Sequence, residues 1–300
     1  MTFEHDLLPI LQCPLTGSPL SLVDDELVAI GSREKARYGL AEGVPLLLTA
    51  APGRAAIVEA FKSRSSTYYE DNYEASLDSD RQVRQRLVVD LLQASAAPGA
   101  AVLEAGAGPA ALGADILRLT AHYVALDVSL ENILAGRARL GALDGVVGDL
   151  IALPFRSETF DVVLAVGCLE YVPEVSTAIA ELIRVAKPGA TIIATFANGA
   201  CPSRWWEERV AYPVIAAVKR RIRAAEPAYS RRLRRRAAIE GQFTASGGEV
   251  TSVHFYGPAL AGYPLTRSRR LRGADQALAS RFERLLERQA EFLVHARRLA

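Results

Sequence analysis

Three carboxylates stand where apolar runs end: Glu104 in "VLEAGAG", Asp127 in "VALDVS" and Asp149 in "VVGDLI". A carboxylate in such a place can accept both hydroxyls of a ribose, or hydrogen bonds from an amino or ammonium group. Directly after the first of them come Gly106, Gly108 and Gly113, a GxGxxxxG spacing that sets bare backbone against a ligand. This is not the GxGxxG of a dinucleotide loop, yet Asp127 follows Gly106 by 21 positions, a separation that a nicotinamide dinucleotide site also accepts. The loop by itself leaves the ligand open, and an ordinary strand-to-helix turn would read similarly.

The elements that must hold these groups follow from periodicity. A helix over about 82–94 leads to strand "AAVLEAG", helix "ALGADILRLTA", strand "HYVALDV", helix "LENILAGRARLG", a short strand near "GVVGD" and strand "FDVVLAV". In "EVSTAIAELIRVAK", Val175, Ala178, Ile179, Leu182 and Val185 share one helical face, and "PGATIIATFA" reads as a turn and a buried strand. Apolar strands alternating with helices imply a doubly wound, mostly parallel sheet of about seven strands covered on both faces. Ligands of such sheets lie beyond the carboxyl ends of the strands. Those ends carry Glu104 with the glycines, then Asp127, then Asp149, and finally Val166 and Gly167. A pyrophosphate is poorly served by a row of acids. S-adenosylmethionine, with a cationic methionine part, a ribose and an adenine, suits it.

Five segments in order, "VLEAGAGPAAL", "ALDVS", "VVGDLIALPF", "FDVVLAVGCLEYVPE" and "ELIRVAKPGATIIATFAN", resemble the successive motifs of class I S-adenosylmethionine-dependent methyltransferases over about residues 85–200. The similarity points to the branch of quinone C-methyltransferases and small-molecule O- and N-methyltransferases, with a Rossmann-like fold. It implies that Glu104 and Ala105 orient the loop near the methionine ammonium, and that Gly106 and Gly108 let backbone approach. Asp127, followed by Val128, would take the ribose hydroxyls. Asp149 would meet the adenine amino group with Leu150 against the ring, and Val166 and Gly167 would border the sulfonium. Tyr69, with Tyr68 and Tyr73, lies in a segment that could close over the cofactor. The product would be S-adenosylhomocysteine. Such chemistry rests on holding an acceptor in line with an activated methyl group, with no metal required. A hydroxyl or ammonium acceptor also needs a base, for which Glu170, Tyr171 and His254 are the candidates.

Residues 1–50 read as a separate unit of short strands and turns, 51–85 as a linker or cap, and 86–300 as the methyltransferase domain. "LLPILQCPLTGSPLSL" with "YGLAEGVPLLL" resembles the small zinc-ribbon-like domain that serves as an activating partner of tRNA and release-factor methyltransferases. Cys13 is the one cysteine left there; Thr16, Gly31 and Glu34 occupy the other ligand positions, so the unit is expected to fold without metal. Cys13, Cys168 and Cys201 lie far apart and form no CxxC pair.

The net charge of +1 hides an asymmetry: residues 1–200 hold 15 Lys and Arg against 25 Asp and Glu, the remaining hundred 20 against 9. "KRRIR" and "RRLRRR" fall within 203–236, read as a basic helical lid of two helices broken near Pro227. Trp205, Trp206 and Tyr212 would form its apolar wall toward the acceptor. A small-molecule acceptor is the leading expectation; RNA, through those arginines, and a non-catalytic cofactor-binding scaffold are the rivals, and peripheral contact with an anionic membrane is compatible with the stripe of Val214, Val218 and Ile222. "GGEVTSVHFYG" reads as an edge strand. Residues 274–299 read as a helix with Leu278, Phe282, Leu285, Phe292, Ala296 and Leu299 on one seam, able to pack on its own chain or to form a homodimer. No transmembrane run and no signal segment are evident, so the protein is expected in the cytoplasm.

Overall fold

The computed structural model describes residues 5–31, 36–49, 79–141, 143–211, 214, 231–257 and 287–300. Its centre is a seven-stranded sheet in the order β10-β11-β9-β8-β5-β6-β7. The parallel strands are β5 (Val102–Ala105), β6 (Tyr123–Asp127), β7 (Asp144–Val147), β8 (Phe160–Ala165) and β9 (Ala186–Ala197), and β11 (Glu291–Arg298) runs antiparallel between β9 and β10 (Gly248–Tyr256). Every residue of β5 and nearly every residue of β8 is buried, which their uninterrupted apolar runs require of strands covered on both faces. The chain winds outward from β5 through β6 to β7 and then returns to the other side through β8 and β9. The switch point therefore falls between β5 and β8, the place at the strand tips where sheets of this kind bind their ligands.

Helices cover both faces. α1 (Ser79–Ser95), α2 (Gly113–Leu117) and α3 (Leu130–Leu140) lie with Val88, Leu92, Ile116 and Ile133 in one core. α4 (Val175–Val185) lies on the other with all five residues of its expected stripe buried, beside α6 (Arg236–Ala245) with Ile239 and Phe243. A shorter helix, α5 (Pro202–Trp206), follows β9 and passes into one wider turn over Glu207–Ala211.

The N-terminal unit is a four-stranded antiparallel sheet of β1 (Leu20–Val23), β2 (Glu26–Ala29), β3 (Arg37–Ala41) and β4 (Val44–Pro45). It is seated on the exposed edge of β7: Leu47 N donates to Val147 O at 2.8 Å, and Gln12 N donates to Pro154 O at 2.9 Å. An uncovered edge strand would present unpaired backbone groups, and this contact satisfies part of that row. Leu7, Leu11, Leu27 and Leu47 continue the same core as Leu126 and Val146 of the main sheet. Cys13 Sγ lies 3.1 Å from the Tyr38 hydroxyl, and Thr16 Oγ1 donates to Ser18. The described residues contain no group of three His, Cys, Asp or Glu able to hold a metal; Glu34 lies outside them.

Two sequence expectations change. The helix expected over 274–299 is a strand in its described C-terminal part, β11, which fills the gap between β9 and β10. Phe292, Val294 and Ala296 point to one buried face, so the apolar seam serves a period of two rather than of 3.6, and as part of the sheet it leaves no helical surface there for a homodimer. In the basic lid, residues 231–235 are not helical: Arg234 bridges Asn198 beside β9, and α6 begins only at Arg236. The breaking Pro227 and the stripe of Val218 and Ile222 fall outside the described residues, as do Tyr68, Tyr69, Tyr73, Tyr212, Leu278, Phe282 and Leu285.

Candidate active site

The tips of β5 and β6 are clasped together by the glycine turn. Gly106 N and Ala107 N both donate to Leu126 O, at 2.7 and 2.9 Å, and Gly108 N donates to Asp127 Oδ2 at 2.8 Å. Gly106 has φ +73°, and a Cβ there would stand 2.6 Å from Cys168 Cβ and 2.8 Å from its Sγ. Only glycine meets both the left-handed backbone and the close approach. Ala110 N turns back to Ala107 O at 3.0 Å, and Pro109 has no N–H. Each donor between 106 and 110 is thus engaged within the protein, so the turn has no N–H left to cradle a pyrophosphate, which is what a dinucleotide loop uses.

Glu104 is buried beneath this turn, 4% exposed, and accepts a hydrogen bond from the Tyr123 hydroxyl. Burial pushes its carboxyl up to about 7, against the opposing pull of that bond and of Arg139. Asp127 also accepts from Ser129 N and from Asn132 Nδ2, both at 3.0 Å at Oδ1. Burial raises its carboxyl as well, although those bonds favour the charged form. Ser129 caps α3, accepting from Asn132 N at 3.2 Å, which fixes the side chain that fixes Asp127. At the tip of β7, Asp149 is buried, and its Oδ1 accepts from Ile151 N at 3.3 Å. Leu150 comes within 3.7 Å of where a Gly106 Cβ would be. Glu104, Ala105, Gly106, Gly108, Asp127, Val128, Asp149 and Leu150 therefore stand at or just past the carboxyl tips of β5, β6 and β7. A cationic amino acid part, a ribose and an adenine fit this donor set: the groups offered are carboxylates, close backbone and apolar side chains.

Across the switch point, Val166 and Gly167 follow β8, and Gly167 N is held by Thr195 Oγ1 of β9 at 2.8 Å. Burial pushes the thiol of Cys168 well up, and the thiol lies 3.3 Å from Ala105 O. Beyond it the tips of β8, β9, β10 and β11 gather a buried charged cluster that the sequence reading did not find. Glu291 of β11 sits opposite Ala197, where β9 ends, and pairs with Arg204 at 3.1 Å, Arg84 at 3.6 Å and Arg231 at 4.0 Å. Burial would raise its carboxyl, but the three guanidiniums hold it at about 2. Arg204 also pairs with Glu207 at 3.0 Å.

Glu170 lies in this cluster, 5% exposed, with Oε2 lacking a hydrogen-bond partner; burial first and Glu291 second raise its carboxyl. The Tyr171 hydroxyl accepts from Arg231 Nε at 3.2 Å. His254 is placed apart from them: on β10, its Nε2 is 3.0 Å from Ser252 Oγ, and no hydrogen bond or ion pair links it to Glu170 or Tyr171. Trp205 and Trp206 on α5 are each about half exposed, 53% and 50%, beside Arg204 of the cluster.

Residues 103–194 match a family model described as a methyltransferase domain. The demethylmenaquinone methyltransferase of Renibacterium salmoninarum is 34% identical over 137 residues, 46% of this chain and 56% of that protein. This chain thus spans about half the length of that curated relative. Among solved structures, the magnesium protoporphyrin IX methyltransferase of Synechocystis PCC 6803 with bound SAH superposes with a TM-score of 0.54 at 16% identity, over 82% of this chain and 99% of that one. The 1,6-didemethyltoxoflavin-N1-methyltransferase of Burkholderia thailandensis, solved with 1,6-didemethyltoxoflavin and S-adenosylhomocysteine, superposes with a TM-score of 0.53 at 16% identity, over 94% and 100%. The sheet described above is the Rossmann-like fold of these methyltransferases.

Proposed function

We propose that this chain, which carries a methyltransferase domain over residues 103–194, transfers the methyl group of S-adenosylmethionine to a small-molecule acceptor and releases S-adenosylhomocysteine. The observation that carries the choice of cofactor is the glycine turn whose donors are all spent internally between two buried acids. Bound there, S-adenosylmethionine supplies a methyl group already activated by the sulfonium. Glu104 lies toward the ammonium, Asp127 takes the ribose hydroxyls, Asp149 and Leu150 receive the adenine, and Val166 and Gly167 border the reacting centre.

The acceptor lies over β8, β9 and β11, with Glu170 and Tyr171 facing it and Trp205 and Trp206 at its rim. Orientation of the acceptor carbon, nitrogen or oxygen in line with the methyl group is the main catalytic effect. Of the three acid–base candidates, Glu170 stands nearest this role, because its raised carboxyl keeps an oxygen without an internal partner.

RNA is disfavoured as acceptor. Among the described arginines of the basic run, Arg231 and Arg234 are turned onto the protein itself, Arg234 donating to Val172 O at 3.0 Å, and Arg236 pairs with Glu240 and Glu287, while Arg232, Arg235 and Arg236 are exposed. Among the described residues no helix is long and apolar enough to cross a membrane. Cys13, Cys168 and Cys201 form no disulfide, which suits a reducing, cytoplasmic setting.

Titration of S-adenosylhomocysteine by calorimetry tests the reading. The wild-type chain binds it, and Asp127→Ala loses two charge-assisted hydrogen bonds to the ribose at about 1.5–3 kcal/mol each, so Kd rises at least about a hundredfold. Uptake of NADH in place of the nucleoside, or unchanged affinity in the variant, would refute it.

A further inference from the structure

Arg84 is the anomaly of the charged cluster. Its side chain is 19% exposed, yet it makes no hydrogen bond to any described residue, and its one ion pair, to Glu291, is long at 3.6 Å. A guanidinium carries five donors in a fixed fork, and none of those of Arg84 is taken up by a hydrogen bond to a described residue. The fork lies over the backbone at the tip of β8: a Cβ placed on Gly167 would meet Arg84 Nη1 at 3.1 Å, with Nη2 at 3.5 Å. Arg204 adds an orphan donor, since its Nε is buried without an acceptor.

Among the described residues, Arg84, Arg204 and Arg231 gather around Glu291, with Glu207 paired to Arg204 and with Glu170, whose carboxyl burial and Glu291 push up, beside them. Three guanidiniums thus meet in one largely buried place. Oε2 of Glu170 is buried beside these arginines without a hydrogen-bond partner.

We propose that the space between Arg84, Arg231 and Glu170 receives an ionised carboxylate or phosphate of the methyl acceptor, held next to the cofactor's sulfonium. A forked guanidinium binds both kinds of anion in a bidentate manner, so the acceptor class is an anionic small molecule. Glu291 is then a positioning residue: it gathers three arginines and prevents their mutual repulsion while neutralising only part of their charge. The proposal rests on the cofactor reading above, because it is the sulfonium side of Gly167 that Arg84 covers.

The test uses benzoate, phenyl phosphate and the neutral benzamide as probes, titrated by calorimetry into the full chain with and without S-adenosylhomocysteine. In the wild type, benzoate or phenyl phosphate binds about tenfold or more tightly than benzamide. In Arg84→Gln, a substitution that breaks no hydrogen bond, the preference falls below about threefold while S-adenosylhomocysteine binds as in the wild type. Equal binding of charged and neutral probes, no binding of either anion, or a preference that survives in Arg84→Gln overturns the proposal. So does a tenfold loss of S-adenosylhomocysteine affinity in Arg84→Gln that disappears for its decarboxylated analogue, because Arg84 would then serve the cofactor's own carboxylate. Anion preference without any nucleoside binding would instead sink the cofactor reading and leave the anion site standing.

Discussion

Replacing Glu104 by glutamine should change the pH dependence of stability more than stability itself. The carboxyl is 4% exposed and is raised from 4.5 to about 7, chiefly by burial. Between those two values the folded chain holds a proton that the unfolded chain has released, so stability falls as pH rises through the window from 4.5 to about 7. At about 1.4 kcal/mol for each tenfold change in proton affinity, the loss due to this group approaches about 3 kcal/mol once the pH exceeds 7. Glu104→Gln keeps an oxygen for the Tyr123 hydroxyl and cannot ionise. Urea denaturation of both proteins at pH 5, 6, 7 and 8 isolates the term, because Asp127 and Glu170, whose carboxyls are raised in the same direction, are present in both. The variant should gain about 3 kcal/mol relative to wild type from the acid end to pH 8, most of it between pH 5 and 7. Bound S-adenosylhomocysteine, whose ammonium favours the ionised carboxylate, should shrink that difference. Parallel pH curves for the two proteins would show that the buried acid does not titrate where its surroundings place it.

Two further outcomes follow from the packing. Gly106→Ala should cost about 2–5 kcal/mol, combining left-handed strain of about 1–2 with an overlap of about 1–3 against Cys168; adding Cys168→Gly should recover the overlap and leave the strain, as read from urea midpoints. Leu47→Ala, in a fully buried residue joined by its backbone to Val147, should cost about 2–5 kcal/mol and lower one shared transition, whereas a separate early transition of the N-terminal sheet would contradict the continuous core.

The half of the sheet over β5 to β7 was legible because there the local rules agree. Strands buried on both faces must be apolar throughout, their tips must be polar to meet a ligand, and the two are adjacent in sequence, so Glu104, Asp127 and Asp149 stand out against what precedes them. The other half was not legible, because its members come from five separate stretches: Arg84 from α1, Glu170 after β8, Arg204 on α5, Arg231 before α6, and Glu291 on β11. No spacing links them; only the topology does. The residue that joins them was also the one whose element was misjudged, since Phe292 and Ala296 satisfy a helical repeat as readily as a strand's alternation, and a short apolar run does not separate the two. Once β11 is placed between β9 and β10, Glu291 arrives at the sheet's carboxyl edge, and Arg84, Arg204 and Arg231 acquire a common partner. The two sides of the switch point then differ in chemical character: acids over β5 to β7 suit a cationic nucleoside, and the gathered guanidiniums over β8 to β11 suit an anion. A methyl group passing from one to the other would move from the acidic side to the basic side, past the positive-φ glycines Gly106 and Gly167.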